Sequence, residues 1–228
     1  MKKIVIIGAN DFQNPLILKA KEMGFETHVF AWQDGSIGET TADYFYPISI
    51  IEKEEILKRC LEIKPDAVAT IASDLANITV QYLGEKLGLT HNSAECIEIS
   101  TNKFKMRKAL KAGGVKVPHF ETVFSVDELG DCSQFTFPVI VKPTDRSGSR
   151  GITKVYKKED LAEAIDNSSA YSFEKKAIVE EYIEGPEFSC ECISYNGEHH
   201  LLTVTQKFTT GAPHFIETGH MEPAGLSD

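Results

Sequence analysis

The segment Lys142-Pro143-Thr144-Asp145-Arg146-Ser147-Gly148-Ser149-Arg150-Gly151 concentrates residue types suited to holding a multiply charged anion. Gly148 and Gly151 lack a Cβ, so backbone N–H groups beside them can approach an anion closely. Thr144, Ser147 and Ser149 add hydroxyl donors, and Lys142, Arg146 and Arg150 add positive charge. The segment follows Val139-Ile140-Val141, a β-branched run that reads as a strand buried on both faces, and precedes Ile152 to Tyr156, which alternates like a returning strand. Lys142 and the loop therefore sit between two antiparallel strands. Taken alone, the loop reads first as a mobile hairpin tip with no ligand, because short motifs often match by accident. It is neither Gly-x-x-x-x-Gly-Lys-Ser/Thr nor Gly-x-Gly-x-x-Gly.

Further candidates flank it. Asn102-Lys103 opens a helix that Gly113-Gly114 ends, and Ala177 to Ile183, containing Glu180-Glu181-Tyr182-Ile183, is a β-rich run. The turn Glu184-Gly185-Pro186-Glu187 then leaves Glu187 at the start of the next strand. Cys190 and Cys192 share one face of that strand, but no histidine stands at ligand spacing beside them, so they are expected as core thiols. Asn196-Gly197 predicts a type I′ hairpin between Phe188–Tyr195 and His200–Thr205. The stretch from Lys207 to Asp228 reads as loop.

The elements that must position these groups are regular. Strands over Ile4–Ile7, Glu26–Trp32, Tyr44–Tyr46 and Ala67–Ile71 alternate with helices over Pro15–Met23, Glu52–Ile63 and Leu75–Leu87. In the second helix Ile56, Leu57, Cys60 and Leu61 form the apolar side. Such alternation predicts a doubly wound parallel sheet, whose ligands sit at the carboxyl ends of strands, here Gly8-Ala9-Asn10 and Ser73-Asp74. A nicotinamide site is not expected, because Asn10, Phe12 and Asn14 stand where a dinucleotide fingerprint continues with glycine. Two short helices follow over Ala94–Ala112. An extended stretch, Glu121–Phe124, comes before the loop, and after it a helix begins near Lys158 with Leu161, Ala164 and Ile165 on its apolar side.

At 228 residues, the chain has room for one large or two small domains. A net charge of −10 argues against nucleic acid or an anionic membrane as the main partner, so an anion site must be a local positive pocket. The apolar run Ile4–Ile7 is too short for a signal peptide, no stretch approaches a membrane span, and a cytoplasmic location is expected. The sequence does not fix an oligomeric state; a homodimer is compatible with it, dimers being the commonest oligomers.

In order, these features resemble the ATP-grasp superfamily of carboxylate–amine and carboxylate–thiol ligases, including carbamoyl phosphate synthetase-like proteins, over almost the whole chain. The Gly148-Ser149-Arg150-Gly151 form is closer to the stand-alone ligases. The resemblance implies a fold class of α/β: a parallel-sheet pre-ATP-grasp domain over 1–92, then a helical connection over 93–116. The α+β first part of an ATP-grasp fold follows, with a small lid subdomain over 117–176 and an incomplete large subdomain over 177–228. It implies that Lys103 and Lys142 contact the α- and β-phosphates of ATP, and that Ser147, Gly148, Ser149 and Gly151 cover them. The Glu181 carbonyl and Ile183 N–H would read the adenine beside Glu180, and Glu187 would accept from the ribose. Lys207 would lie near the acceptor end of the nucleotide, with Glu217 and His220 as substrate candidates, while Asn10 and Asp74 would face the carboxylate substrate.

The implied chemistry moves the γ-phosphoryl group onto a carboxylate, after which an amine displaces phosphate from the acyl phosphate; Mg²⁺ bridges the phosphate oxygens. No Glu-x-Asn metal pair occurs, so no metal ligand and no catalytic residue is assigned. The magnesium ligands are expected beyond residue 228, in a chain expected to be a fragment inactive by itself. The alternatives are a non-catalytic nucleotide-binding module and, less favoured, an NAD(P)-dependent oxidoreductase.

Overall fold

The computed structural model describes residues 1–213 and 215–226, and the chain divides into two compact units, Met1–Thr101 and the chain from Asn102 onward. In the first unit the elements are β1 (Lys3–Ile7), α1 (Asn14–Glu22), β2 (Glu26–Phe30), α2 (Gly38–Thr41), β3 (Tyr44–Tyr46), α3 (Lys53–Ile63), β4 (Ala67–Ala69), α4 (Asp74–Leu87) and α5 (Ala94–Thr101). The strands form one parallel sheet in the order β3-β2-β1-β4. Side chains alternate across β1: Val5 and Ile7 pack with Ile56 and Cys60 of α3 and Val80 and Leu83 of α4, whereas Ile4 and Ile6 pack with Ile17 and Ala20 of α1. Burial on both faces explains the unbroken apolar run, each such side chain contributing roughly 1.5–3 kcal/mol. Ser73 caps α4, its Oγ accepting from Ala76 N at 3.1 Å.

The second unit holds α6 (Lys103–Ala112), β5 (Phe120–Val123), β6 (Val139–Pro143), β7 (Thr153–Val155), α7 (Leu161–Tyr171), β8 (Ala177–Glu181), β9 (Glu187–Tyr195), β10 (Glu198–Thr209) and β11 (Glu217–Met221). One antiparallel sheet runs β5-β8-β6-β7 and a second β11-β10-β9. Leu161, Ala164 and Ile165 of α7 cover Val139, Val141, Ala177 and Val179 of the first sheet. Among the described residues no helix is long and apolar enough to cross a membrane.

Several expectations need correction. The stretch after Lys207 is not simply loop: β10 continues to Thr209, and Glu217–Met221 forms β11 by pairing back onto β10, with a register shift at Phe208/Thr209. That pairing is non-local and leaves no mark in the local pattern; His214, Ser227 and Asp228 lie outside the described residues. Cys190 and Cys192 are exposed rather than core, because no layer covers the β9–β10–β11 sheet among the described residues. Leu61 is 58% exposed; Ile63 replaces it on the buried side of α3. β2 and β4 end at Phe30 and Ala69, earlier than their apolar runs.

Candidate functional site

The Gly/Ser loop joins β6 to β7, whose register pairs Val139 with Val155 and Val141 with Thr153. Its backbone turns through left-handed conformations at Gly148 (φ 74°), Ser149 (φ 55°) and Gly151 (φ 67°). Gly151 is required twice over, by its φ and because a Cβ there would stand 2.8 Å from Tyr171 Cδ2. Asp145 anchors the start of the loop by accepting from Phe173 N (3.2 Å) and Glu174 N (2.9 Å), and the Arg146 guanidinium lies 4.4 Å from the Phe173 ring centroid. The Ser149 hydroxyl donates to Phe215 O at 2.9 Å, tying the loop to the β10–β11 connection. Ser147 and Gly148 are exposed.

Lys103 stands at the first position of α6. Asn102 caps that helix, its Oδ1 accepting from Phe104 N and Lys105 N, both at 3.1 Å, and its Nδ2 donating to Glu174 Oε2 at 3.1 Å. Lys103 N donates to Thr144 O at 2.8 Å, and Lys103 Nζ donates to Arg146 O, which places the ammonium on the loop backbone.

Lys142, on the last turn-facing stretch of β6, pairs with Glu180 of the adjacent β8. Glu180 is almost fully buried and also accepts from Arg107 Nε at 2.9 Å and Nη2 at 3.4 Å. Burial by itself would raise the Glu180 pKa; the Lys142 charge and the Arg107 hydrogen bond overcome it and hold the carboxyl below its ordinary range. Arg107 is one helical turn after Lys103, so one face of α6 presents both cations. Sequence reasoning missed Arg107, although the i, i+4 spacing from Lys103 was a usable signal.

Glu181 turns outward from this cluster. Its carboxylate accepts from Thr136 N (3.0 Å) and His119 N (3.4 Å), and the first of these bonds leads in lowering its pKa. Ile183, 69% exposed, follows the end of β8, and its N–H has no backbone partner among the described residues. Lys154 of β7, another cation the sequence reading passed over, lies 3.4 Å from the Tyr182 ring centroid, and the Tyr182 and Phe215 rings are 6.4 Å apart.

Glu187, Lys207 and His220 fall in one cross-strand row, Lys207 pairing with Glu187 on one side and His220 on the other. Glu217 joins them: it forms an ion pair with Lys207 and lies 3.5 Å from His220 Nε2, and the Lys207 bond holds its carboxyl below the ordinary range. The second unit thus brings together four candidates that the sequence spreads over 34 positions, from 187 to 220. Asn10 and Asp74 belong to the first unit, Asn10 lining a cavity and Asp74 opening α4. Among the described residues no group of three or more His, Cys, Asp or Glu is placed to hold a metal ion.

Residues 135–228 match the family model described as "ATP-grasp domain". A formate-dependent phosphoribosylglycinamide formyltransferase of Prochlorococcus marinus subsp. pastoris is 30% identical over 98% of the chain, and a carbamoyl phosphate synthase large chain of Clostridium beijerinckii is 26% identical over 99% of it. The chain spans 56% of the former's length and 21% of the latter's. An L-amino acid ligase from Bacillus licheniformis superposes with a TM-score of 0.84 at 24% identity, covering 100% of this chain and 56% of its own. An ADP complex of an N5-carboxyaminoimidazole ribonucleotide synthetase does so with a TM-score of 0.83 at 21% identity, covering 100% and 59%. The glycine loop between its paired strands and the antiparallel sheet that carries it lie within residues 135–228, the part of the chain that matches the ATP-grasp domain.

Proposed function

We infer that the chain supplies the nucleotide-binding part of an ATP-dependent carboxylate–amine ligase. One observation carries this reading: two lysines from different elements, Lys103 and Lys142, flank the same Gly/Ser loop, and the first already rests on that loop's backbone. Each makes contacts that phosphate oxygens can replace, since a polyphosphate offers several acceptors of higher charge. Exchange of Lys142 from Glu180 to phosphate leaves Glu180 still paired with Arg107, so the carboxylate is not stranded. Ser147, Gly148, Ser149 and Gly151 line the other side of the phosphates. The Glu181 carbonyl and the Ile183 N–H offer an acceptor and a donor to adenine, and Glu187 receives the ribose hydroxyls.

In the reaction this implies, a substrate carboxylate oxygen attacks the γ-phosphorus, ADP leaves, and an amine then displaces inorganic phosphate from the acyl phosphate with loss of a proton. Lys207, Glu217 and His220 are assigned to the acceptor end, and Asn10 and Asp74 to the carboxylate. The described residues present no group of three or more His, Cys, Asp or Glu placed to hold Mg²⁺. The test is calorimetric titration of the chain with ATP and ADP in excess Mg²⁺. Saturable binding that Lys142→Ala and Lys103→Ala each weaken by tenfold or more supports the site; binding indifferent to both substitutions refutes it. A second reading, a nucleotide-binding module without catalysis, predicts binding with no amine-dependent phosphate release.

A further inference from the structure

Asn102 can cap α6 in only one of the two orientations of its amide. With Oδ1 toward the helix it accepts from Phe104 N and Lys105 N, both at 3.1 Å; turned over, it would present Nδ2 to two donors and the cap would be lost. The two orientations have nearly the same shape, so packing does not choose between them. A hydrogen-bond partner on the other side of the amide must, and Glu174 supplies it: its Oε2 accepts from Asn102 Nδ2 at 3.1 Å. An ionised carboxylate only accepts, so it admits Nδ2 and excludes Oδ1.

The same carboxylate oxygen holds a second segment. Glu174 Oε2 also accepts from Thr144 Oγ1 at 3.3 Å, and Thr144, 1% exposed, is the first loop residue after β6 and accepts through its carbonyl from Lys103 N at 2.8 Å. The turn that carries Glu174, between α7 and β8, is itself fixed to the loop. Asp145 accepts from Glu174 N at 2.9 Å, Thr144 N donates to Lys176 O at 3.4 Å, and Lys176 N donates to Ser172 Oγ at 3.2 Å. One side chain from this turn therefore bridges the cap of α6 to the base of the Gly/Ser loop, and Lys103, beside both, rests its ammonium on Arg146 O. Glu174 itself is exposed, so its replacement disturbs no core packing.

We propose that Glu174 is a positioning residue for the nucleotide site: acting through Asn102 and Thr144, it fixes the first turn of α6 against the loop, so that the Lys103 ammonium meets the phosphates already in place. The role rests on the reading that Lys103 and Lys142 hold a polyphosphate. Its sign separates it from a direct effect of charge. A carboxylate near a polyphosphate repels it, so loss of the charge alone strengthens binding, whereas loss of the bridge weakens it. Glutamine at the position keeps an acceptor for both donors and removes the charge; alanine removes both.

The experiment measures ATP and ADP affinity by calorimetry in excess Mg²⁺ for the intact chain and for Glu174→Ala, Glu174→Gln, Lys103→Ala and Glu174→Ala with Lys103→Ala. Exchange of the Phe104 and Lys105 amides is followed without nucleotide. Glu174→Ala is expected to weaken binding by about threefold to tenfold, Glu174→Gln to stay within about twofold of wild type or bind more tightly, and Glu174→Ala to have no further effect once Lys103 is alanine. The two amides should exchange faster in Glu174→Ala than in Glu174→Gln or wild type. Unchanged or tighter binding in Glu174→Ala, an equal loss in the alanine and glutamine variants, or a loss that adds in full to that of Lys103→Ala overturns the positioning role while leaving the nucleotide site standing. A wild-type chain that binds neither nucleotide overturns the site and this role together.

Discussion

Glu180 shows how a single residue joins stability to the candidate site. Its carboxylate is nearly buried between Lys142 and Arg107, so removing its charge leaves two cations packed against a neutral group. Glu180→Gln is expected to lower the stability of the second unit by about 2–4 kcal/mol. The readout is amide hydrogen exchange in β8, since Trp32 reports only on the first unit. The pH dependence follows from the depressed folded-state pKa. The stabilisation is present above the ordinary glutamate value of 4.5 and is lost as pH falls through the lower folded value, so wild type and Glu180→Gln should differ at neutral pH and converge in acid. A difference that persists unchanged in acid would show that packing, not charge, accounts for the effect. The sequence marked Lys142 and Glu180 as candidates separately. Their pairing, and the arrival of Arg107, depend on β6 lying beside β8 and on α6 packing near them, which no local pattern encodes.

At the scale of elements, the β6–β7 hairpin and α6 set where the cations stand. Gly148 and Gly151 both have positive φ, but a Cβ at Gly148 meets nothing within 4 Å, whereas one at Gly151 overlaps Tyr171 and approaches Pro143 Cγ to 3.2 Å. Gly148→Ala is expected to cost only the left-handed strain, about 1–2 kcal/mol, and Gly151→Ala about 1–3 kcal/mol more. Urea denaturation of the two variants orders them, and Tyr171→Ala should recover part of the Gly151→Ala loss. Asn102→Ala removes the cap of α6 and the bond to Glu174, with an expected loss of about 1–2 kcal/mol and a weaker grip of Lys103 on the loop backbone. Equal nucleotide affinity in Asn102→Ala and wild type would separate the cap from the site. The hairpin, the glycine loop and the Asn102 cap were all readable beforehand, because each rests on the intrinsic preferences of a few adjacent residues.

Across the molecule, the two units differ in how their sheets are covered. The parallel sheet of the first has helices on both faces, while β9, β10 and β11 expose Ile193, Tyr195, Leu201 and Leu202, among others, to solvent. Uncovered apolar strands favour association, so the chain is expected to bind a hydrophobic dye and to self-associate as concentration rises. Leu201→Lys combined with Ile193→Lys should reduce both, as followed by dye fluorescence and light scattering; unaltered dye binding would place the apolar surface elsewhere. What the sequence determined by itself was everything that depends on short-range pattern: the alternating strands and helices of the first unit, the glycine loop between paired strands, the Asn-Gly hairpin, and the order of motifs that residues 135–228 share with the ATP-grasp domain. Tertiary structure alone decided the rest. The Lys142–Glu180–Arg107 cluster, the Glu187–Lys207–His220 row, β11, and the exposure of Cys190 and Cys192 all arise from contacts between segments distant in the chain. Their geometry is set by which strands become neighbours and which faces find a covering layer, and a sequence read residue by residue carries no direct record of either.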